Sequence, residues 1–334
     1  MAVATVIPCR DEANTIGRLL DALTAQTRVP DEIIVVDDKS TDQTRRVLDA
    51  WRLQHPSVAF RVVDGPGRGV AAAMNAGITV ATADVIVRLD GHSVPCSDYI
   101  ERSLSALARP SAGIVGGVWT IRPGAQTTMA RAIAAVVGHP AGSGGARYRH
   151  ADQAPQMGTS VETVPFGTFK TETWRALGGF DESLMANEDY DFNYRLRQSG
   201  AEVILDGRIQ SAYQARPTLS ALARQYHRYG FWKARMLKKD PRAWHVRQIA
   251  AAAILPTLTL AALAAWVFPS AITETIALIY PTVVVIAAAH IALRAKSTPL
   301  WPAAVAALAT VHLSWSAGFV RALIGASSPD SPRG

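Results

Sequence analysis

Cysteine, charge and mixed aromatic-basic patches are all scarce in this chain of 334 residues. Two cysteines, Cys9 and Cys96, cannot build a disulfide framework, which fits a reducing compartment. Only 18% of residues are charged while 49% are hydrophobic, an apolar balance for a soluble enzyme. No aromatic-basic interleaved patch outside the 224–247 region argues for nucleic acid, so none is expected as a partner despite a formal charge of +7. No charged leader with a long apolar core opens the chain. Residues 1–8 read as a short strand, and the first domain is expected to stay in the cytosol. The turn after that strand also lacks a glycine-rich, lysine-bearing loop, which counts against nucleotidyl transfer.

What is present is unevenly placed. Charge nearly vanishes from about Gln248 onward. Three apolar runs follow, 249–268, 275–293 and 300–320. Each has about the twenty residues needed to cross a hydrocarbon core. Pro256, Pro281 and Pro302 interrupt or open them, which membrane helices tolerate. Lys238, Lys239, Arg242 and Arg247 precede the first run, the 269–273 loop has no basic residue, and Arg294 and Lys296 follow the second. This bias puts the N-terminal part and the second loop on the cytoplasmic side and the tail outside, a multi-pass protein of the plasma membrane. The basic cluster at 224–247 suits anionic lipid headgroups. The expected division is a domain over 1–217, an amphipathic interface helix and basic linker over 218–247, and a membrane region over 248–334.

Within the first part, short apolar runs alternate with helical patterns. Strands are expected at 3–8, 32–36, 58–63 and 84–89, with helices from Ile16, through Leu53 and over 70–78. Asp42 or Ser40 can cap the second helix. The alternation predicts a parallel, doubly wound α/β sheet whose polar turns gather along one edge. Further on, 99–107 and 187–198 read as helices, 174–180 as a helix end with a glycine stop, 113–121 and 201–205 as strands, 139–156 as a loop and 218–239 as a long helix.

The fourth run ends in Asp90-Gly91-His92-Ser93. Open α/β sheets place ligands at the carboxyl ends of their strands. A carboxylate and an imidazole two residues apart there can hold a metal or, equally, cap the next helix. Glu188-Asp189 opens a helix, where the dipole favours ionised carboxylates. Residues 226–235 place Tyr226, Tyr229, Phe231 and Trp232 beside Arg228, Lys233 and Arg235, as in a helix at the headgroup level.

In order, these segments resemble the family 2 glycosyltransferases over about residues 3–233. The likeness is to membrane-bound bacterial polysaccharide enzymes of the succinoglycan-biosynthesis type. It is carried by Asp90-Gly91-His92-Ser93, by Asn187-Glu188-Asp189-Tyr190-Asp191-Phe192-Asn193-Tyr194-Arg195 and by Tyr226-His227-Arg228-Tyr229-Gly230-Phe231-Trp232-Lys233. The resemblance implies a GT-A fold, a Rossmann-like and mostly parallel sheet, followed by an interfacial helix and transmembrane helices. It implies that Pro8, Arg10 and Glu12 frame the nucleoside of the donor, that Asp38 accepts the base N–H, and that Arg68 and Asn75 lie around the nucleotide. Asp90 and His92 would hold Mg2+ or Mn2+ at the diphosphate. Asp189 would be the general base, with Glu188 orienting it or the acceptor. Gln225, Arg228 and Tyr229 correspond to a Gln-x-x-Arg-Trp element, Arg228 at the diphosphate and the aromatic at the acceptor.

Two departures stand out. His92 replaces the usual second aspartate and favours manganese over magnesium, and it leaves open a ligand or a phosphate contact. Tyr229 replaces tryptophan and leaves processivity open. The implied activity is inverting transfer of a hexose, glucose from UDP-glucose, to a lipid-linked saccharide in polysaccharide or cell-envelope glycan synthesis. Transfer to polyprenyl phosphate is an alternative. A catalytically inactive assembly subunit is another, opposed by the presence of both Asp90 and Asp189.

Overall fold

A computed structural model of the chain describes residues 1–153 and 158–330. The strands are β1 (Val3–Cys9), β2 (Glu32–Asp37), β3 (Phe60–Asp64), β4 (Val85–Arg88), β5 (Val94–Pro95), β6 (Ala112–Arg122), β7 (Thr159–Ser160), β8 (Thr168–Lys170) and β9 (Glu202–Gln214). The helices are α1 (Ile16–Thr24), α2 (Thr44–Gln54), α3 (Val70–Val80), α4 (Tyr99–Leu107), α5 (Thr128–Val137), α6 (Pro140–Ser143), α7 (Thr171–Ala176), α8 (Glu188–Gln198), α9 (Leu219–Lys239), α10 (Val246–Val267), α11 (Ala271–Arg294) and α12 (Trp301–Leu323). Two compact units form. The first contains residues 1–120 and 150–213, the second 121–149 and 214–334. Residues 121–149 thus group with the C-terminal helices, a segment that the expected division left with the sheet.

The first unit is built on one mixed sheet in the order β3-β2-β1-β4-β8-β6-β9-β5, with β7 beside β9. The four strands expected from the alternation pair in parallel, β1 lying between β2 and β4. All seven residues of β1 are buried, as a strand covered on both faces requires. From β8 onward the pairing includes antiparallel ladders, β4 with β8 and β8 with β6. The α1 helix buries Ile16, Leu19, Leu20 and Leu23, the one-face spacing seen in the sequence.

Three segments differ from expectation. The strand expected at 201–205 extends to Gln214. Asp206-Gly207-Arg208 looks like a turn, yet the fully buried Asp206 carboxylate takes Arg208 Nε at 3.0 Å and Nη2 at 2.7 Å. The pair satisfies itself, so a polar interruption stays within the strand. The α5 helix was not singled out; Thr127 caps it by accepting the Ala130 N–H at 3.1 Å. Of the expected loop at 139–156, residues 140–143 form α6 and 147–149 and 151–153 form tight turns, while 154–156 lie outside the described residues.

In the second unit, α10, α11 and α12 with its preceding turn are long and apolar enough to cross a membrane. Pro256 lies inside α10. Its ring denies the Ala252 carbonyl a helical partner. Ser316 of α12 donates to that carbonyl at 2.7 Å and accepts the Leu255 N–H at 3.1 Å. The α9 helix, expected at a lipid surface, buries Phe231, Trp232 and Lys233 within the protein. It crosses α12 at glycine on both sides. A Cβ on Gly230 would stand 2.0 Å from Trp315 O, and one on Gly318 1.9 Å from His227 O.

Glycine-to-alanine changes at this crossing should reverse the usual sign. In an open helix alanine gains about 1 kcal/mol. Here the added methyl meets backbone, and overpacking costs about 1–3 kcal/mol. Gly230→Ala and Gly318→Ala should each lower the melting temperature of the detergent-solubilised chain. A rise in either would show that the helices do not approach this closely.

Candidate active site at the sheet edge

The carboxyl ends of β1, β2 and β4 carry the candidate residues, and each turn is fastened to its neighbour. After β1, Asp11 takes a left-handed backbone (φ 57°). Its carboxylate accepts the Thr41 N–H at 2.7 Å and its own N–H donates to Ser40 Oγ at 3.0 Å. The Thr41 N–H holds the Asp11 carboxyl below the usual carboxylate range. The next residue, Glu12, donates its N–H to Thr44 Oγ1 at 2.8 Å. One Glu12 oxygen accepts Thr15 Oγ1 at 2.5 Å and the other lies 2.7 Å from His92 Nδ1. Glu12 therefore links the β1 turn to the Asp90–Ser93 turn. Pro8 is buried in β1 opposite Val36, and Arg10 is exposed beside Asp11.

After β2, Asp38 is 3% exposed and fastens the next turn. Its two oxygens accept the N–H groups of Gly67 at 2.6 Å and Gly69 at 2.9 Å. Both glycines have positive φ, 74° and 90°, which side chains disfavour, so the loop can wrap this carboxylate. Arg68 between them reaches Glu182 at 2.9 Å. Asn75 in α3 uses all four of its hydrogen-bonding positions. It donates to Phe180 O and Glu182 Oε1 and accepts Trp174 Nε1 and the Phe180 N–H. It ties α3 to the segment after α7, which the sequence did not reveal.

At the end of β4 lies a residue to which the sequence motifs assign no role. Arg88, 4% exposed, places Nη2 2.9 Å from Glu188 Oε1 and Nε 3.2 Å from Asp90 Oδ1. Burial works against its charge, but Asp90, Glu188 and Asp189 outweigh it and raise the Arg88 pKa. Burial pushes the Glu188 carboxyl upward; Arg88 opposes this and Asp189 reinforces it. The signal available was an arginine inside an otherwise apolar strand. Asp189, half-buried in the first turn of α8, accepts the Tyr190 N–H at 2.7 Å. The turn into α8 depends on Asn187 at φ 65°.

His92 is partly exposed, with its ring oriented by Glu12. Among the described residues no group of three or more His, Cys, Asp or Glu side chains gathers as a metal site. Gln225, Arg228 and Tyr229 belong to the second unit. There Gln225 Nε2 donates to Tyr229 Oη at 3.0 Å, and Arg228 Nε lies 2.9 Å from Asp330 Oδ1.

Residues 5–168 match the family described as Glycosyl transferase family 2. They form a family 2 glycosyltransferase domain. The chain is 29% identical to the succinoglycan biosynthesis protein ExoA of Rhizobium meliloti (strain 1021) over 327 residues, 96% of this chain and 94% of that protein. It is 25% identical over 245 residues, 71% of this chain and 74% of the relative, to a dolichyl N-acetyl-alpha-D-glucosaminyl phosphate diacetamido-dideoxy-glucuronosyltransferase of Methanococcus voltae. In fold it is similar to a mannosyltransferase of Pyrobaculum calidifontis, solved with GDP-Man and Mn2+. The TM-score is 0.66 at 20% identity, covering 96% of this chain and 86% of that one. The sheet of the first unit is thus the GT-A fold, and its candidate residues stand on the edge of a family 2 domain.

The Arg88–Glu188 pair should behave as a buried ion pair. Arg88→Met leaves Glu188 buried without its cation, a loss of about 3–5 kcal/mol. Replacing both, Arg88→Met with Glu188→Leu, should recover much of the melting temperature. Equal midpoints for the single and double variants would contradict the pairing.

Proposed function

We propose that the protein is a membrane-bound, inverting hexosyltransferase of extracellular polysaccharide or cell-envelope glycan synthesis. It moves glucose from UDP-glucose to a lipid-linked saccharide at the cytoplasmic face. The observation that carries this reading is Arg88, which joins Asp90 to the Glu188-Asp189 turn through one buried guanidinium. The residue for the leaving diphosphate and the residue for the acceptor proton are thereby set on one support. The likeness to ExoA across 96% of the chain supports the polysaccharide role, and the three apolar helices support membrane attachment. The lysines and arginines at 238–247 support a cytoplasmic first unit.

The residues present fit a divalent cation. Asp90 offers a carboxylate and His92 an imidazole whose ring is oriented by Glu12, the arrangement that steadies metal-binding histidines. Mg2+ and Mn2+ need few protein ligands when substrate phosphates supply the rest. Nη1 of Arg88, buried and without a hydrogen-bond partner among the described residues, offers a further donor beside Asp90. Held there, the cation would neutralise charge on the departing diphosphate. The chain's own groups do the remainder. Asp189 accepts the proton of the acceptor hydroxyl as that oxygen attacks the anomeric carbon. Glu188, bound to Arg88, fixes the start of α8 and with it the base. Pro8, Arg10 and Glu12 line the first turn for the nucleoside, and Asp38 shapes the 65–69 loop around it.

Two measurements test this. Membranes containing the chain should release UDP from UDP-glucose only with Mg2+ or Mn2+ present. Asp189→Asn should cut turnover by about 10²–10⁴-fold with donor affinity kept. An asparagine variant as active as the parent would remove Asp189 as the base. His92→Asp should retain transfer while shifting metal preference from Mn2+ toward Mg2+. Lost activity with metal affinity intact would instead make His92 a phosphate or acceptor contact.

A further inference from the structure

A cavity of about 950 Å3 lies wholly within the second unit. Its walls come from α9, α10, α12 and the residues after α12. Arg224, Arg228 and Arg321 line it, together with one carboxylate, Asp330. Leu255 of α10 and Leu313 of α12 add apolar wall from two helices long enough to cross a membrane. Arg224 and Arg228 are four residues apart on α9 and so share a face. Arg321 stands in the last turn of α12, and Asp330 beyond it is bonded to Arg228 of α9, so the residues after α12 lie beside α9 and not across a membrane from it, against the expectation of a tail outside.

The basic wall already holds oxygen ligands. Arg228 Nε lies 2.9 Å from Asp330 Oδ1, while Asp330 Oδ2 accepts Trp232 Nε1 at 2.6 Å. Arg321 Nη2 donates to Ser327 O at 3.1 Å. Among the described lining residues one carboxylate faces three guanidinium groups. Arginine's planar fork suits phosphate oxygens, which carry more charge and accept several N–H groups at once. A basic pocket among membrane helices is also the usual seat of a phosphorylated lipid head. The leucine wall suits the chain attached to such a head.

We propose that this cavity binds the diphosphate head of the acceptor's lipid anchor, and that Asp330 occupies Arg228 until the lipid enters. This rests on the reading of the acceptor as lipid-linked. The head displaces a carboxylate from Arg228 and engages Arg224 and Arg321, while the first part of the lipid chain lies along Leu255 and Leu313.

The test uses the full chain in phosphatidylcholine nanodiscs, with farnesyl diphosphate, inorganic pyrophosphate and UDP as probes. Loss of one charge-assisted contact should weaken farnesyl diphosphate about tenfold in Arg224→Gln and in Arg321→Gln. UDP affinity should stay unchanged in both. Asp330→Asn should tighten farnesyl diphosphate by removing the competing carboxylate. Unchanged farnesyl diphosphate affinity in both arginine variants, with melting temperatures kept, overturns the site. Pyrophosphate binding as tightly as farnesyl diphosphate overturns the lipid assignment in favour of a free anion. Weakened UDP binding in the same variants assigns the cavity to the donor and overturns the proposal as well. Nanodiscs carrying phosphatidylglycerol complete the set: if they displace farnesyl diphosphate, the cavity is a bulk-lipid contact. Failure of the functional reading looks different, since then no nucleotide sugar binds or turns over whatever the lipid probes do.

Discussion

A guanidinium buried among carboxylates governs the edge of the first unit on which the candidate residues stand. Arg88 sits in β4, where neighbours on both sides are apolar and a lone cation would be untenable. Two carboxylates make it tenable, Asp90 two residues on and Glu188 from a helix a hundred residues later. The dependence runs both ways. Glu188 is buried, and burial and Asp189 push its carboxyl upward while Arg88 opposes them. The start of α8 is therefore held to the end of β4 by electrostatics as much as by packing. Any ligand chemistry at Asp90 and any proton chemistry at Asp189 inherits that fixed relation.

The parallel half of the sheet was legible because its strands are short apolar runs closed by charged turns, a pattern local to each segment. The α8 motif and the three apolar helices were legible for the same reason. What was hidden is long-range. Nothing near Asn75 announces Trp174, Phe180 and Glu182 as its partners. The full length of β9 was hidden because Asp206 and Arg208 neutralise each other inside the strand. Arg88 was visible as an oddity, but its meaning required Glu188 to arrive from elsewhere in the chain. The α9 helix carries a headgroup-like set of side chains, yet Phe231, Trp232 and Lys233 are buried because two glycines let α12 lie against it.

The second unit solves a different problem with similar means. The α10 helix is long and apolar enough to cross a membrane, a setting that offers an orphaned carbonyl no water, and the break that Pro256 makes in it has a protein partner. Ser316 supplies it from α12 and at the same time accepts the Leu255 N–H. One hydroxyl thus joins α10 and α12 at the point where α10 is interrupted. The glycine crossing then brings a third helix, α9, against α12 beside the arginine-lined cavity.

The difference between Asp38 and Asn75 shows how far a family role can be carried to a residue. Both side chains fasten loops through two or more hydrogen bonds. An ionised carboxylate has about four acceptor positions on its two oxygens. Asp38, holding Gly67 and Gly69, keeps capacity for a base N–H. A carboxamide has two donors and two acceptor positions, and Asn75 spends them all within the protein. A direct nucleotide contact by Asn75 would cost one of those bonds in a half-buried setting. What Asn75 positions is the 174–182 segment, including Glu182, which Arg68 also holds. A motif residue with open hydrogen-bonding positions can meet a ligand directly and one without them can act only at one remove, and the count of partners tells the two cases apart.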